Sequence, residues 1–149
     1  MKISVTGHRG RVGKIFSHLN GVMPLDCDVT NPLQIQHALK YTKPDLVVHL
    51  AARSDVEYCQ DISNEKDVIQ VNVRGTFNVA QATDTYGCGM VLLSSDHVFS
   101  GKRWFGKYDE SALPYPVNFY GLSKSAAEGL RTAFPKMKVI RTASLFDDA

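Results

Sequence analysis

The chain has 149 residues, 44% of them hydrophobic and 21% charged, with seven Phe, six Tyr and one Trp. A chain of roughly 150 residues buries about 68–70% of its unfolded surface, so one globular domain with a sizeable core is expected, while a disordered segment and a complete eightfold α/β barrel are excluded. Seventeen Lys and Arg against fifteen Asp and Glu leave a net charge of +2, too balanced to argue for a nucleic-acid or anionic-membrane partner.

Short apolar runs alternate with longer helix-compatible stretches, the pattern of a parallel α/β sheet covered by helices on both faces. Lys2–Thr6 reads as the first strand and Arg11–Leu19 as the helix after it. Val22–Asp26 is the second strand. Asn31 then offers an N-cap with Pro32 at the first helical position, and Leu33, Ile35, Ala38 and Leu39 form an apolar stripe up to Thr42. Asp45–Ala51 is the third strand, followed by a long helix from Asn64 to Tyr86 that Gly87 can terminate. Gly89–Ser95 is the fourth strand, Asn118–Phe134 a helix stopped by Pro135, and Met137–Thr142 the fifth strand. With no repeat, linker or low-complexity tract, residues 1–149 read as one doubly wound parallel domain of Rossmann type.

Cys27, Cys59 and Cys88 form no CxxC pair and no Cys/His cluster of metal-ligand spacing, so free, packed thiols in a reducing cytoplasm are expected and no metal site. The longest apolar run, Leu46–Ala52, is interrupted by His49 and falls far short of a membrane span. The N-terminus enters a strand-like run directly, without the pattern of a cleavable leader.

Chemistry is first suggested where strand one meets helix one, at Gly7, Gly10 and Gly13 in GHRGRVG. Glycines there let the backbone approach a diphosphate, and free N–H groups at a helix start stabilise its charge, although a tight βα turn would use the same residues. The spacing is GxxGxxG, not GxGxxG. Asp26 and Asp28 lie 19 and 21 residues beyond Gly7, near the distance at which an acid meets an adenosine ribose. Arg9 and Arg11 favour a ribose 2′-phosphate and hence NADPH, whereas Asp26 favours NADH, so the reading stops at NAD or NADP.

A second signal is Tyr120 and Lys124, four residues apart and so on one helix face. A lysine cation about 5 Å from a phenol, at an effective dielectric near 20, is worth roughly 3 kcal/mol, enough to lower a tyrosine pKa by about two units. Ser94 and Ser95 end a strand at the carboxyl edge where doubly wound folds bind ligands. Between Ser95 and Tyr120 runs GKRWFGKYDESALPYP, long and aromatic, as lids and substrate walls often are.

Taken in order, GHRGRVG, DVTNP, PDLVVHLAA, VNVRGTFNVA, LLSSDHVFSG, YDESALPYPVNFYGLSK and VIRTASLF resemble the extended short-chain dehydrogenase/reductase superfamily. Within it they are most similar to the dTDP-4-dehydrorhamnose reductase family and its nucleotide-sugar relatives, from Met1 to about Phe146. The resemblance implies that Tyr120 is the proton donor, Lys124 the lysine that lowers its pKa and binds the nicotinamide ribose, and Ser95 the hydroxyl that orients the carbonyl. It implies a diphosphate loop of Gly7, Gly10, Arg11, Val12 and Gly13, adenine contacts at Asp28 and Val29, cofactor contacts at Ala51, Ala52 and Arg53, and a substrate contact at Asp96. The implied reaction is hydride transfer from NAD(P)H to C4 of a 4-keto-6-deoxy nucleotide sugar.

Three features depart from the family pattern. His97 stands where these reductases commonly carry Tyr and the dehydratases carry Glu, which argues against dehydratase chemistry. NGVMPLDCDVTN has room for one strand where the family usually has two. The residues that build most of the family's sugar pocket are not in this sequence, so its walls are expected to come from another chain, through self-association or a partner, or to be lacking. Two other readings stay open: a non-catalytic NAD(P)-binding regulatory or interaction protein, and a sugar-nucleotide epimerase or epimerase/reductase.

Overall fold

The computed structural model describes residues 1–102 and 106–143. Part of the long aromatic connection and the end of the VIRTASLF segment therefore lie outside the described residues. Five parallel strands, β1 (Ile3–Thr6), β2 (Val22–Pro24), β3 (Leu46–His49), β4 (Gly89–Ser95) and β5 (Met137–Thr142), form one sheet in the order β2-β1-β3-β4-β5. The chain winds outward from β1 to β2 and then returns to β3 on the other side of β1. Carboxyl ends of strands part at such a reversal, leaving a crevice there.

Val5, Val47, Met90 and Leu92 from the central strands are fully buried with Ile35, Leu39 and Val79 from the helices, which is why these short runs lack polar alternation. The helix α2 (Pro32–Thr42) begins as expected: Asn31 accepts hydrogen bonds from the amides of Leu33 and Gln34, and Pro32 sits at its first position. It packs against α5 (Thr76–Tyr86), which ends at Gly87 in the left-handed conformation, φ 75°.

Several elements are shorter or more broken than the sequence pattern implies. The second strand stops at Pro24, because after Leu25 N–H donates to Val5 O at 2.8 Å the chain turns and Asp26 pairs with Arg9 instead of joining a ladder. The third stops at His49: the amides of Leu50 and Ala51 donate to Thr6 Oγ1 at 3.2 and 3.3 Å, leaving the sheet. The first helix, α1 (Arg11–Ser17), ends two residues early. In place of one helix from Asn64 there is a short α4 (Glu65–Val68), a π-helical stretch over Ile69–Gly75, and then α5. The last helix, α6 (Phe119–Gly129), tightens into a 3₁₀ turn over Leu130–Thr132 before Pro135. Sequence periodicity missed α3 (Val56–Gln60) and the 3₁₀ turn after it, too short for a pattern but capped by Asp55 and Asp61. The single strand between α1 and the DVTNP segment is as expected, and it makes β2 an edge strand.

One buried ion pair ties β5 to α6. Arg141 Nη2 lies 2.7 Å from Glu128 Oε2 and its Nε 3.0 Å from Oε1, with Glu128 only 3% exposed. The same guanidinium donates to Ala112 O and lies 4.9 Å over the Phe99 ring. Removing one partner of such a pair leaves a charge in low dielectric. Arg141→Met is therefore expected to cost about 3–5 kcal/mol of stability in urea denaturation, and a loss below 1 kcal/mol would contradict this role.

Candidate active site

The glycine turn is shaped by contact. Gly7 has φ 67°, and a Cβ on it would stand 2.6 Å from Ala51 N and 2.9 Å from the Leu50 carbonyl carbon. A Cβ on Gly13 would overlap Gly7 O, so the start of α1 lies directly on the turn. No side chain caps α1 at Gly10, so the amides of its first turn are not taken up by a cap. From this turn a cleft of about 980 Å³ runs along the carboxyl edge of the sheet. Gly10, Arg11, Val12, Asp28, Val29, Ala51, Ala52 and Arg53 line it together with Ser95, Tyr120 and Lys124. Residues scattered from 7 to 124 thus meet in one groove, at the strand-order reversal. Asp96 follows Ser95 in the 3₁₀ turn Asp96–Val98 and accepts from the Ser95 hydroxyl at 3.1 Å.

At the far end of the groove, the two charges that pointed to different coenzymes hold each other. Arg9 Nη2 donates to both oxygens of Asp26, at 3.1 and 3.2 Å, and His8 Nε2 is 3.8 Å from the same carboxylate. Asp28 Oδ1 accepts from the Thr30 amide and hydroxyl, both at 2.8 Å, so the acid also builds the turn that leads into α2. Val29 is fixed by Asn78, whose side chain donates to its carbonyl at 3.0 Å, and by Gly75, where a Cβ would meet Val29 Cγ2 at 2.7 Å. Arg53 presents its backbone; its guanidinium is spent on Asp67, with Nε to Oδ2 at 2.6 Å.

A residue the sequence reading passed over joins the two ends. Asn72, buried in the π-helical stretch, accepts from Arg53 N at 2.7 Å and donates to Arg53 O and to Ser123 Oγ. Ser123 in turn donates to Tyr120 O. One side chain therefore clamps the loop after β3 to the helix that carries Tyr120 and Lys124. The available signal was a lone Asn among Val and Ile in VIQVNVRG. π-Helical turns of this kind often mark functional sites.

At the near end Ser95 caps its 3₁₀ turn, accepting from His97 N at 3.2 Å, and its hydroxyl stands beside the Tyr120 phenol. Ser94 Oγ, buried in the same wall, has no hydrogen-bond partner among the described residues. The electrostatics correct the simple picture of a lysine lowering a tyrosine pKa. Burial pushes the Tyr120 phenol above its ordinary value, and only the Ser95 hydroxyl opposes this. Lys124 is itself buried, its Nζ donating to Leu93 O at 2.7 Å, and burial lowers it to about 8 while Glu128 pulls the other way. Desolvation outweighs the Coulomb attraction that an exposed pair would feel.

These groups fit a dinucleotide: a backbone cradle with uncapped amides at one end, and a hydroxyl, a phenol and an ammonium at the other. Among the described residues no cluster of His, Cys, Asp and Glu could hold a metal ion, and no helix is long and apolar enough to cross a membrane. Cys27, Cys59 and Cys88 are free thiols.

A lysine depressed on folding makes a signed prediction. Below pH 8 the native state holds a buried ammonium at a cost; between about pH 8 and 10.5 the unfolded chain binds more protons than the native one, so this contribution to stability rises with pH. Over that window the wild-type chain should gain up to about 3 kcal/mol relative to Lys124→Met in denaturation measured against pH. Parallel profiles would contradict the burial of a charged Lys124.

The whole chain, residues 1–149, matches the RmlD substrate-binding domain family. A dTDP-4-dehydrorhamnose reductase from Aggregatibacter actinomycetemcomitans is 30% identical over 158 residues, covering 99% of this chain and 52% of that protein. Among solved structures, a dTDP-4-dehydrorhamnose reductase from Bacillus anthracis in complex with NADP superposes with a TM-score of 0.88 at 33% identity, covering 98% of this chain and 55% of that one. A reductase of the same name from Clostridium acetobutylicum gives 0.87 at 31%, covering 100% and 55%. The chain spans about half the length of these relatives. By the match along its full length and by its five-stranded Rossmann sheet, the chain belongs to the RmlD substrate-binding domain family within the extended short-chain dehydrogenases/reductases.

Proposed function

We propose that this chain binds NAD(P)H in the glycine-turn cleft and serves the reduction of the 4-keto group of a 6-deoxy nucleotide sugar, the reaction for which its relatives are named. One observation carries the reading: a single groove joins the backbone cradle at Gly7–Gly13 to the Ser95, Tyr120 and Lys124 side chains. The relative from Bacillus anthracis, solved with NADP, supports the coenzyme class. We place the protein in the cytoplasm, where its three cysteines would stay thiols.

When bound, the reduced nicotinamide supplies a hydride to the carbonyl carbon. The chain's own groups manage the oxygen. The Ser95 hydroxyl, turning its one hydrogen from Asp96 Oδ1 to the substrate, donates to the carbonyl oxygen and orients it. The Tyr120 O–H, kept protonated by its burial, gives its proton to that oxygen as negative charge develops there. Lys124 has one ammonium hydrogen committed to Leu93 O. The other two serve the coenzyme ribose and the phenolate that Tyr120 becomes, a charge worth far more stabilisation in the buried site than in water. Gly10, Arg11, Val12 and Gly13 hold the diphosphate, Asp28 and Val29 border the adenine, Ala51, Ala52 and Arg53 support the cofactor through their backbone, and Asp96 contacts the sugar.

In titration calorimetry the chain should bind NADPH or NADH, and with a dTDP-4-keto-6-deoxy sugar it should oxidise the coenzyme. Tyr120→Phe is expected to lower coenzyme affinity by no more than about tenfold, the worth of one neutral hydrogen bond, and to lose at least about a hundredfold in turnover. Coenzyme binding with no turnover by the wild-type chain would favour a non-catalytic binding protein, and no binding of either coenzyme would overturn the proposal.

A further inference from the structure

His97 lines the cleft beside Ser95 and Tyr120. Its hydrogen-bonding state follows from a neighbour. Asn118 caps α6 through Oδ1, which accepts the Gly121 N–H at 2.7 Å. A main-chain N–H can only donate, so that end of the amide is oxygen. The opposite end, 2.8 Å from His97 Nδ1, is then the NH₂ group, which also can only donate. Nδ1 is thereby the acceptor, and the ring is the neutral tautomer with its hydrogen on Nε2.

The ring is also held in place. It packs edge-on against Tyr120, with centroids 5.5 Å apart and planes at 68°. The His97 amide donates to Ser95 Oγ, and a Cβ on Gly121 would overlap the His97 carbonyl, so α6 sits directly on this turn. Among the described residues no group takes the Nε2 hydrogen. A donor whose tautomer is set and whose ring is held by Asn118 and Tyr120, on a residue that lines the cleft, is preorganised for a ligand.

We propose that His97 Nε2–H is a substrate-binding donor to an oxygen of the sugar ring beside the reacting carbonyl, and that Asn118 is the positioning residue that keeps it a donor. This rests on the nucleotide-sugar reading above. The turn packs against α6, whose Tyr120 meets the ring.

The test is calorimetry on the chain saturated with NADPH, with dTDP-L-rhamnose as the probe and dTDP as its sugarless control. His97→Phe should lower dTDP-rhamnose affinity by about three- to tenfold, the worth of one neutral hydrogen bond, with dTDP and NADPH affinities unchanged. His97→Gln, which keeps an N–H near Nε2, should restore most of the loss. Asn118→Ser keeps a good helix cap but takes away the NH₂ group that holds Nδ1 as an acceptor. In that variant the sugar-dependent affinity should fall, with dTDP and NADPH affinities unchanged. Equal losses for dTDP and dTDP-rhamnose, no loss in His97→Phe, or full sugar affinity in Asn118→Ser would overturn the inference while leaving the reductase reading standing. A wild-type chain that binds NADPH but gains no affinity from the sugar would overturn the substrate reading and this inference with it.

Discussion

The approach of Gly7 to the Leu50–Ala51 peptide is the contact on which the site depends. Strands β1 and β3 are neighbours in register, Thr6 against His49, and immediately beyond that pair the two chains leave the sheet together. Any side chain at Gly7 would push them apart. With the turn pressed against Ala51 and α1 seated on the turn, the first amides of α1 open onto the crevice at the strand-order reversal. The groove is therefore a property of backbone packing, set before any functional side chain is considered.

A chain of buried polar groups carries that geometry to the other end. Thr76 donates to Asn72 O at 2.6 Å, so its oxygen must accept from His49 Nε2–H, and His49 Nδ1 then accepts from Thr6, whose oxygen receives the Leu50 and Ala51 amides. His49 stays neutral, its pKa lowered to about 3 by burial, so the directions of these bonds do not change with pH in the ordinary range. Asn72 passes the alignment on to Ser123 and Tyr120. Partly satisfied networks of this kind are costly in low dielectric, while satisfied ones specify a single arrangement. The same burial that orders Tyr120 and Lys124 moves both away from their ordinary pKa values, the phenol up and the ammonium down.

What could be read from the residues was whatever depends on local chemistry. The glycine triplet, the Asn31–Pro32 helix start, the Gly87 stop and the Tyr120/Lys124 spacing each carry their physical reason within a few residues. The missing features depend on partners far along the chain. Asn72 meets Ser123 51 residues away, and nothing in VIQVNVRG announces a π-helical stretch. Arg9 and Asp26 argued for opposite coenzymes when considered singly, but in three dimensions they neutralise each other. The expected lowering of the tyrosine pKa assumed a partly solvated pair; both groups proved to be buried, and desolvation reverses the sign. Strand ends were overrun for a similar reason, since Leu50 and Ala51 are apolar enough for a strand but give their amides to a threonine side chain.

The central claim is that one bound coenzyme spans the groove, with its diphosphate on the glycine turn and its nicotinamide beside Tyr120. A crystal structure of the chain soaked with NADP tests this directly. The account predicts diphosphate oxygens on the amides of residues 11–13, the Gly10 amide being held by Gly7 O, and a nicotinamide ribose within hydrogen-bonding distance of Tyr120 Oη and Lys124 Nζ. A dinucleotide bound with its nicotinamide away from Tyr120, or lying outside the groove altogether, would contradict it.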